Sequence, residues 1–371
     1  MHVAVITNSL FRSDGIATSS LQIAQALMAA GNDVSLVYPD RPYDQPRLAD
    51  WAAAGASIVP VRDLSIRRRE LRRTVSGLVG AWRTIRRLDA DVLHVHQPSH
   101  AALAGLAALG RRTRVVLHLR GAAPDAPGLA QRIGLRLADV IIPVSAATGR
   151  SWEPHGARSD RVTVVHNGID LDEYRPPTDA ERAAARAALG IDDDRPVIGF
   201  VGRFMEAKGV FVLADAYAAL VDAGTDAWLV CVGAAEAQAA ERARLDAQLV
   251  DRPRVRLLDA VADTRPVMAA FDVGAVVSDS EAFSRVVLEL LASGVPVCAT
   301  AVGGTPEALG DDLAHLLSTF GDADALTAQL ADVLGADDPR PLRALARGRA
   351  EQFGLVACLE RNVAILTAAA D

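Results

Sequence analysis

Short apolar runs rich in valine, isoleucine and leucine recur along the chain, and longer alanine- and leucine-rich stretches with helical spacing separate them. Runs that are apolar throughout, without strict alternation, suit strands covered on both faces. Helices between such strands make the sheets parallel. In the first half, strands are expected at His2–Thr7, Asp33–Tyr38, Ser57–Val61, Asp91–His96, Arg114–Leu119, Asp139–Val144 and Arg161–His166. In the second half they are expected at Val197–Gly202, Ala227–Gly233, Val255–Leu258, Val273–Ser278 and Val295–Thr300. Helices fill the intervals, as at Thr18–Ala30, Gly209–Ala223 and Val286–Ala292. So many strands exceed one comfortable open sheet. The polar, proline-bearing stretch 171–196 breaks the pattern. The expected class is α/β, with two Rossmann-like doubly wound domains at 1–170 and 197–352 and a linker and hinge region at 171–196 near Pro176-Pro177. Ligands of such sheets bind beyond the carboxyl ends of the strands.

Composition narrows the function. At 371 residues the chain is long enough for two domains, with 50% apolar and 23% charged residues. A net charge of −7 argues against a general nucleic-acid binder. Cys231, Cys298 and Cys358 lie far apart in apolar surroundings, as expected of reduced, buried thiols. Met1 opens directly into a strand-like run, and no apolar run reaches the ~18 residues of a membrane span. A cytoplasmic protein is expected.

Lys208 is the only lysine among 39 lysines and arginines. It stands in VGRFMEAKG, just after a strand and five residues past Arg203. A compact ammonium meets a small anion at one point in a way that a planar guanidinium does not. Arg203 and Lys208 could both reach phosphate oxygens, although a lone surface lysine is the plainer alternative. Glu281 and Glu289 lie eight apart in SDSEAFSRVVLELL. Glu281 falls in the loop after a strand, and Phe283, Ser284 and Arg285 lead into a helix whose first amides favour an anion. Glu289 lies in the second turn of that helix. A carboxylate there accepts hydrogen bonds from vicinal hydroxyls, although ordinary helix glutamates would look the same.

The first half offers less. Gly15 precedes a helix, without the G-x-G-x-x-G of a dinucleotide site. His118 ends the fifth strand, where it could shuttle a proton or hydrogen-bond a sugar, or simply be a satisfied strand histidine. His94 and His96 share one strand face, but no third ligand has metal-site spacing, so no metal is expected. The arginine-rich segment Ile66-RRRELRRTVSGLVGAWRTIRR has apolar positions at helical spacing. A packed surface helix is preferred there over one lying on a membrane.

VGRFMEAKG, the Glu281-to-Glu289 segment, GVPVCATAVGGTPE and His166-Asn-Gly-Ile-Asp together resemble the retaining glycosyltransferases of family 4 (GT4). The resemblance implies the GT-B architecture, with two Rossmann-like domains facing across a cleft and a final helix, 353–371, crossing back to the first domain. It implies that the second domain holds a nucleoside diphosphate sugar, with a UDP-sugar favoured over a GDP-sugar and no other cofactor. Arg203 and Lys208 would meet the diphosphate, and Glu281 would meet hydroxyls of the transferred sugar. Phe283, Ser284, Arg285 and Val286 would surround phosphate and sugar, and Glu289 would take the ribose. Gly15 and His118 would reach in from the other domain, and Asp14, His96 and Arg120 would serve the acceptor. His118, Glu281, Arg203 and Lys208 are thus the catalytic candidates, and domain closure would bring His118 to the donor. Ala282 and Ser284 stand where the family more often has glycine, which leaves base and sugar open. The expected reaction is metal-independent transfer of a sugar to a hydroxyl of a small-molecule, natural-product or envelope acceptor. A sugar-nucleotide epimerase or hydrolase, or a catalytically silent sugar-nucleotide-binding protein, is the competing reading.

Overall fold

The computed structural model describes all residues except Ser9, 11–14, 41–46, 65–70, Pro253 and 235–238. The chain forms two compact units, Met1–Asn167 with Val356–Asp371, and Gly168–Leu355. The first contains β1 (His2–Ile6), α1 (Gly15–Ala29), β2 (Asp33–Pro39), α2 (Arg47–Ala53), β3 (Ser57–Val61) and α3 (Leu71–Leu88). It continues with β4 (Val92–Val95), α4 (Pro98–Ala108), β5 (Arg114–Leu119), α5 (Leu129–Leu137), β6 (Val140–Pro143) and α6 (Ala146–Trp152). All strand pairs are parallel, in the order β3-β2-β1-β4-β5-β6.

The two-residue period of the strands splits their side chains between two cores. Ala4, Ile6, Leu93, Val95, Val115 and Leu117 are buried with Ala81, Ile85, Ala101 and Leu135 of the helices α3, α4 and α5. Val3, Val5, Leu36, Val92 and Val116 face the other way, towards Ile23, Leu27 and Trp51 of α1 and α2. In α3 the Trp82 indole donates to the Leu106 carbonyl and the Arg86 guanidinium donates to the carbonyls of Ala107 and Leu109. One face of the arginine-rich helix therefore packs on its own domain. Residues Ile66–Glu70 of that segment lie outside the described residues.

Arg161–His166 is not a strand, which corrects the sequence expectation. It runs beside β6, where Thr163 and Val165 donate from their backbones to the carbonyls of Ile141 and Pro143, and forms a single bridge, Ile141 to Val162. The next bridge would need a backbone N–H from Pro143, and proline has none.

The second unit begins with an irregular segment and then α7 (Asp179–Ala188), β7 (Val197–Val201), α8 (Val210–Asp222), β8 (Trp228–Ala234), α9 (Ala239–Gln248) and β9 (Val255–Asp259). It continues through α10 (Arg265–Met268), β10 (Val273–Val276), α11 (Arg285–Ala292), β11 (Val297–Thr300), α12 (Thr305–Leu309), β12 (Leu317–Ser318), α13 (Ala323–Leu334) and α14 (Arg340–Glu351). Its parallel sheet has the order β12-β11-β10-β7-β8-β9. Counted from its own first strand, this is the strand order of the first unit. The edge strand β12 has only two residues, too short for any periodic signal, and the sequence pattern misses it.

The stretch expected to be a linker, 171–196, is integral to this second unit. The Thr178 hydroxyl accepts from the Glu181 backbone and the Glu181 carboxylate accepts from the Thr178 backbone, which starts α7 firmly. Arg182 of α7 and Arg343 of α14 both grip Asp272 at 2.7 Å, and Asp272 also accepts from the Val197 backbone at the start of β7. The boundary falls at Asn167–Gly168, ahead of Pro176-Pro177. The last helix, α15 (Leu355–Ala370), places Leu366 in the core of the first unit beside Val3 and Leu36.

Candidate functional site

In a doubly wound sheet the crevice opens where strand order reverses, which in the second unit is between β7 and β10. β7 leads through Arg203, whose side chain is exposed, to Lys208, and β10 leads to Glu281. The Lys208 ammonium meets Glu281 Oε1 at 2.6 Å, the two side chains being 29% and 14% exposed. The Ser278 hydroxyl donates to the same oxygen at 2.8 Å. A charge-assisted bond on a largely buried carboxylate is stronger than a surface ion pair. Sequence reasoning gives these two residues to separate parts of a ligand, whereas the fold brings them to each other.

Two glycines fix the loops that carry them. Gly209, at φ +68°, precedes α8, and a Cβ there would fall 2.0 Å from the Val277 carbonyl oxygen. Gly303, at φ +52°, follows β11, and a Cβ there would fall 1.6 Å from the Glu281 carbonyl oxygen. Gly304 donates to that carbonyl at 3.1 Å. Only glycine combines the left-handed backbone with such an approach.

Phe283 is buried with its ring edge-on to Phe353, centroids 5.2 Å apart, so its side chain anchors the loop. Ser284 is the residue before α11 and is also buried. Arg285 and Val286 begin the helix, and the Arg285 guanidinium lies 3.9 Å from Glu289. Burial pushes the Glu289 carboxyl up to about 7, against the opposing pull of Arg285 and of a hydrogen bond from Tyr174. Sequence reasoning misses Tyr174, because it sits in a stretch read as a linker.

In the first unit the same reversal lies between β1 and β4, where the Gln97 amide donates to Asn8 Oδ1 at 2.8 Å. Gly15 is the exposed first residue of α1, and Asp14 lies outside the described residues. His94 pairs in register with Val116, which carries His96 beside His118. The ligating nitrogens of His94, His96 and His118 all lie within 4.8 Å of one another. The sequence expectation that no third ligand of metal-site spacing joins His94 and His96 is therefore corrected. The missing partner was on the neighbouring strand, and only the strand register shows it.

Arg120 decides what this cluster can do. Its guanidinium, which can only donate, approaches His96 Nδ1 at 3.4 Å and His118 Nδ1 at 3.5 Å, and it donates to Asn167 Oδ1 at 3.1 Å. His96 therefore accepts at Nδ1 and carries its proton on Nε2, and any hydrogen bond that Arg120 makes to His118 puts that ring's proton on Nε2 as well. His94 Nε2 lies 3.4 Å from His118 Nδ1. Burial, reinforced by the Arg120 charge, holds His118 and His96 well below the usual histidine range and His94 down to about 3. The rings are neutral at physiological pH. A metal at Nε2 would need the opposite tautomer next to a guanidinium, so these residues fit hydrogen bonding to oxygen better than a metal ion. His118 Nε2 and His96 Nε2 are buried without a hydrogen-bond partner among the described residues.

Two family descriptions match the chain: Glycosyltransferase Family 4 over residues 13–173, and Glycosyl transferases group 1 over residues 195–336. A D-inositol 3-phosphate glycosyltransferase of Nocardia farcinica (strain IFM 10152) is 38% identical over 208 residues, which are 54% of this chain and 45% of that protein. The protein of the same name from Corynebacterium aurimucosum is 37% identical over 238 residues, 59% of this chain and 54% of that one. The chain thus spans about half the length of the curated relatives it matches. Among solved structures, Anabaena Alr3699/HepE in complex with UDP superposes with a TM-score of 0.85 at 20% identity, covering 99% of this chain and 100% of that one. WaaG, a glycosyltransferase involved in lipopolysaccharide biosynthesis, superposes with a TM-score of 0.74 at 18% identity, covering 98% and 99%.

Proposed function

Since the chain belongs to the family 4 glycosyltransferases, with the GT-B fold, we propose that it moves a sugar from a nucleoside diphosphate sugar to a hydroxyl acceptor with retention of configuration. The observation that carries this reading is the Lys208–Glu281 pair at the reversal of the second sheet. The pair offers a cation to phosphate and a carboxylate to sugar hydroxyls from one point. Arg203 adds a second cation and the first amides of α11 add partial positive charge. At ~4 Å and an effective dielectric near 20, one unpaired charge is worth about 4 kcal/mol of gross attraction to the leaving diphosphate, and the Glu281 carboxylate beside Lys208 offsets part of that ammonium's share. Glu289 takes the ribose hydroxyls. UDP is the favoured base carrier, in line with the UDP-bound structural neighbours.

The assay is incubation with UDP- and GDP-sugars and a panel of acceptors. D-inositol 3-phosphate comes first, because the relatives carry its name. A glycosylated product together with nucleoside diphosphate is expected. Free sugar without product would make the protein a hydrolase, an isomerised donor would make it an epimerase, and no turnover with any donor would leave a binding protein. Activity should survive EDTA, since the site supplies its own cations. Loss with chelator and recovery with manganese would reverse that expectation.

In this reading His118 serves the acceptor side as a neutral donor of a hydrogen bond from Nε2. His118→Ala should depress transfer strongly and leave nucleoside diphosphate affinity nearly unchanged. Calorimetry run beside transfer rates tests it. Weakened diphosphate binding with normal turnover would return His118 to a purely structural part.

A further inference from the structure

The loop after β10 is sewn to the loops on either side of it. The Asp279 backbone donates to the Ala207 carbonyl at 3.0 Å, one residue before Lys208, and the Thr300 hydroxyl at the end of β11 donates to the Ser278 carbonyl. Gly209 lies against Val277 and Gly303 against Glu281. The backbones that carry Lys208, Ser278 and Glu281 are therefore held without help from those three side chains. Ser278 is buried, and its hydroxyl is directed at one atom, Glu281 Oε1, at 2.8 Å. The Lys208 ammonium reaches that same oxygen at 2.6 Å. A carboxylate has about four lone-pair sites, shared between its two oxygens. Oε1 is thus filled, and among the described residues Oε2 accepts from none.

We propose that Ser278 is a positioning residue of the donor site: by filling Oε1 together with Lys208, it turns the Glu281 carboxylate so that Oε2 is the oxygen presented to the hydroxyls of the transferred sugar. The inference rests on the donor reading given above and divides the work of Glu281 between its two oxygens. A carboxylate held by the ammonium alone can swivel about its last bond and exchange those oxygens, because a compact point charge meets either one equally well. A second donor, reaching in from a different residue on a fixed backbone, removes that freedom. A sugar then meets an acceptor that is already oriented and does not have to order it, which is how preorganisation contributes to binding. The same arrangement leaves phosphate its share of Lys208, since an ammonium has three N–H donors and Glu281 takes one of them.

Ser278→Ala removes the hydroxyl and leaves the Lys208 pair in place. The probes are UDP, UDP-glucose, UDP-galactose and UDP-N-acetylglucosamine, followed by calorimetry. Affinity for UDP, which has no sugar to meet Glu281, should be that of the wild type. The best-bound UDP-sugar should bind about tenfold more weakly, in the range expected for one lost bond to a charged group. Ser278→Cys is nearly the same size with a much weaker donor. It should fall between wild type and the alanine variant, and it carries the test if the alanine variant melts early. In a Glu281→Ala background neither substitution should change UDP-sugar affinity, because the carboxylate they act through is gone. A residue that only packed would weaken UDP and UDP-sugar alike and keep its effect in that background. Either of those results, or UDP-sugar binding by Ser278→Ala as tight as by wild type, would overturn the inference. So would a wild type that bound UDP and none of the UDP-sugars. A wild type that bound none of the probes would instead sink the UDP-sugar reading itself.

Discussion

A Lys208→Ala protein should transfer sugar ~10²–10³ more slowly than wild type, the loss expected on removing one preorganised donor to a developing oxyanion. The structure sharpens this expectation, because the ammonium also neutralises Glu281 at 2.6 Å. Without it, Glu281 retains the Ser278 hydroxyl and its carboxylate is left largely buried beside one neutral donor. The variant should still fold, since Lys208 ends a short turn at the surface of its unit and its side chain is 29% exposed. Lys208→Arg tests whether charge alone is sufficient. The longer planar fork should restore the pairing with Glu281 poorly, so a fully active arginine variant would count against point recognition. Steady-state kinetics with thermal melts decide both. A well-folded, fully active Lys208→Ala protein would end the phosphate assignment.

The second large effect is expected at Glu289, with opposite signs for stability and binding. Its carboxyl lies near 7 in the folded protein against an ordinary 4.5. Because the folded value is the higher one, the stabilising contribution is fully present below about 4.5 and is lost as pH rises through 7. The protein without ligand should lose on the order of 3 kcal/mol over that window from this group. Glu289→Gln should flatten that part of the curve and be the more stable protein at pH 8. It should also bind nucleoside diphosphate at least tenfold more weakly, because an amide cannot accept two hydroxyls as a carboxylate does. The buried histidines act in the reverse sense. Their folded values lie below 6.5, so their contribution is present above that pH and fades as pH falls. Urea melts of both proteins from pH 5 to 8.5 separate the two trends, and identical curves would refute the Glu289 assignment.

Much of the α/β order is legible in the residues because each buried parallel strand is apolar along its whole length. Val197–Val201 and Val273–Val276 could hardly be anything else. The pattern fails where the backbone, and not hydrophobicity, decides the outcome. Arg161–His166 has the side chains of a strand but meets a proline. Leu317–Ser318 is a strand by pairing alone. Among site residues, Lys208, Glu281 and Glu289 are legible because their chemistry is unusual at their places in the chain. The ion pair between the first two is not, since it spans seventy-three residues and depends on β7 lying next to β10. The meeting of His118 with His94 and His96 is hidden for the same reason, and Tyr174 is hidden by its proline-rich surroundings.

Pro143 has a consequence beyond ending a ladder. A sheet whose last strand offers a full row of donors and acceptors can recruit a strand from another molecule and grow into an aggregate. Here β6 gives two of its carbonyls to the segment at 163–165, and at Pro143 it has no donor to offer in return. The edge is thus occupied by its own chain yet cannot template an ordered addition. A single imino acid thus keeps this edge of the first sheet from pairing further.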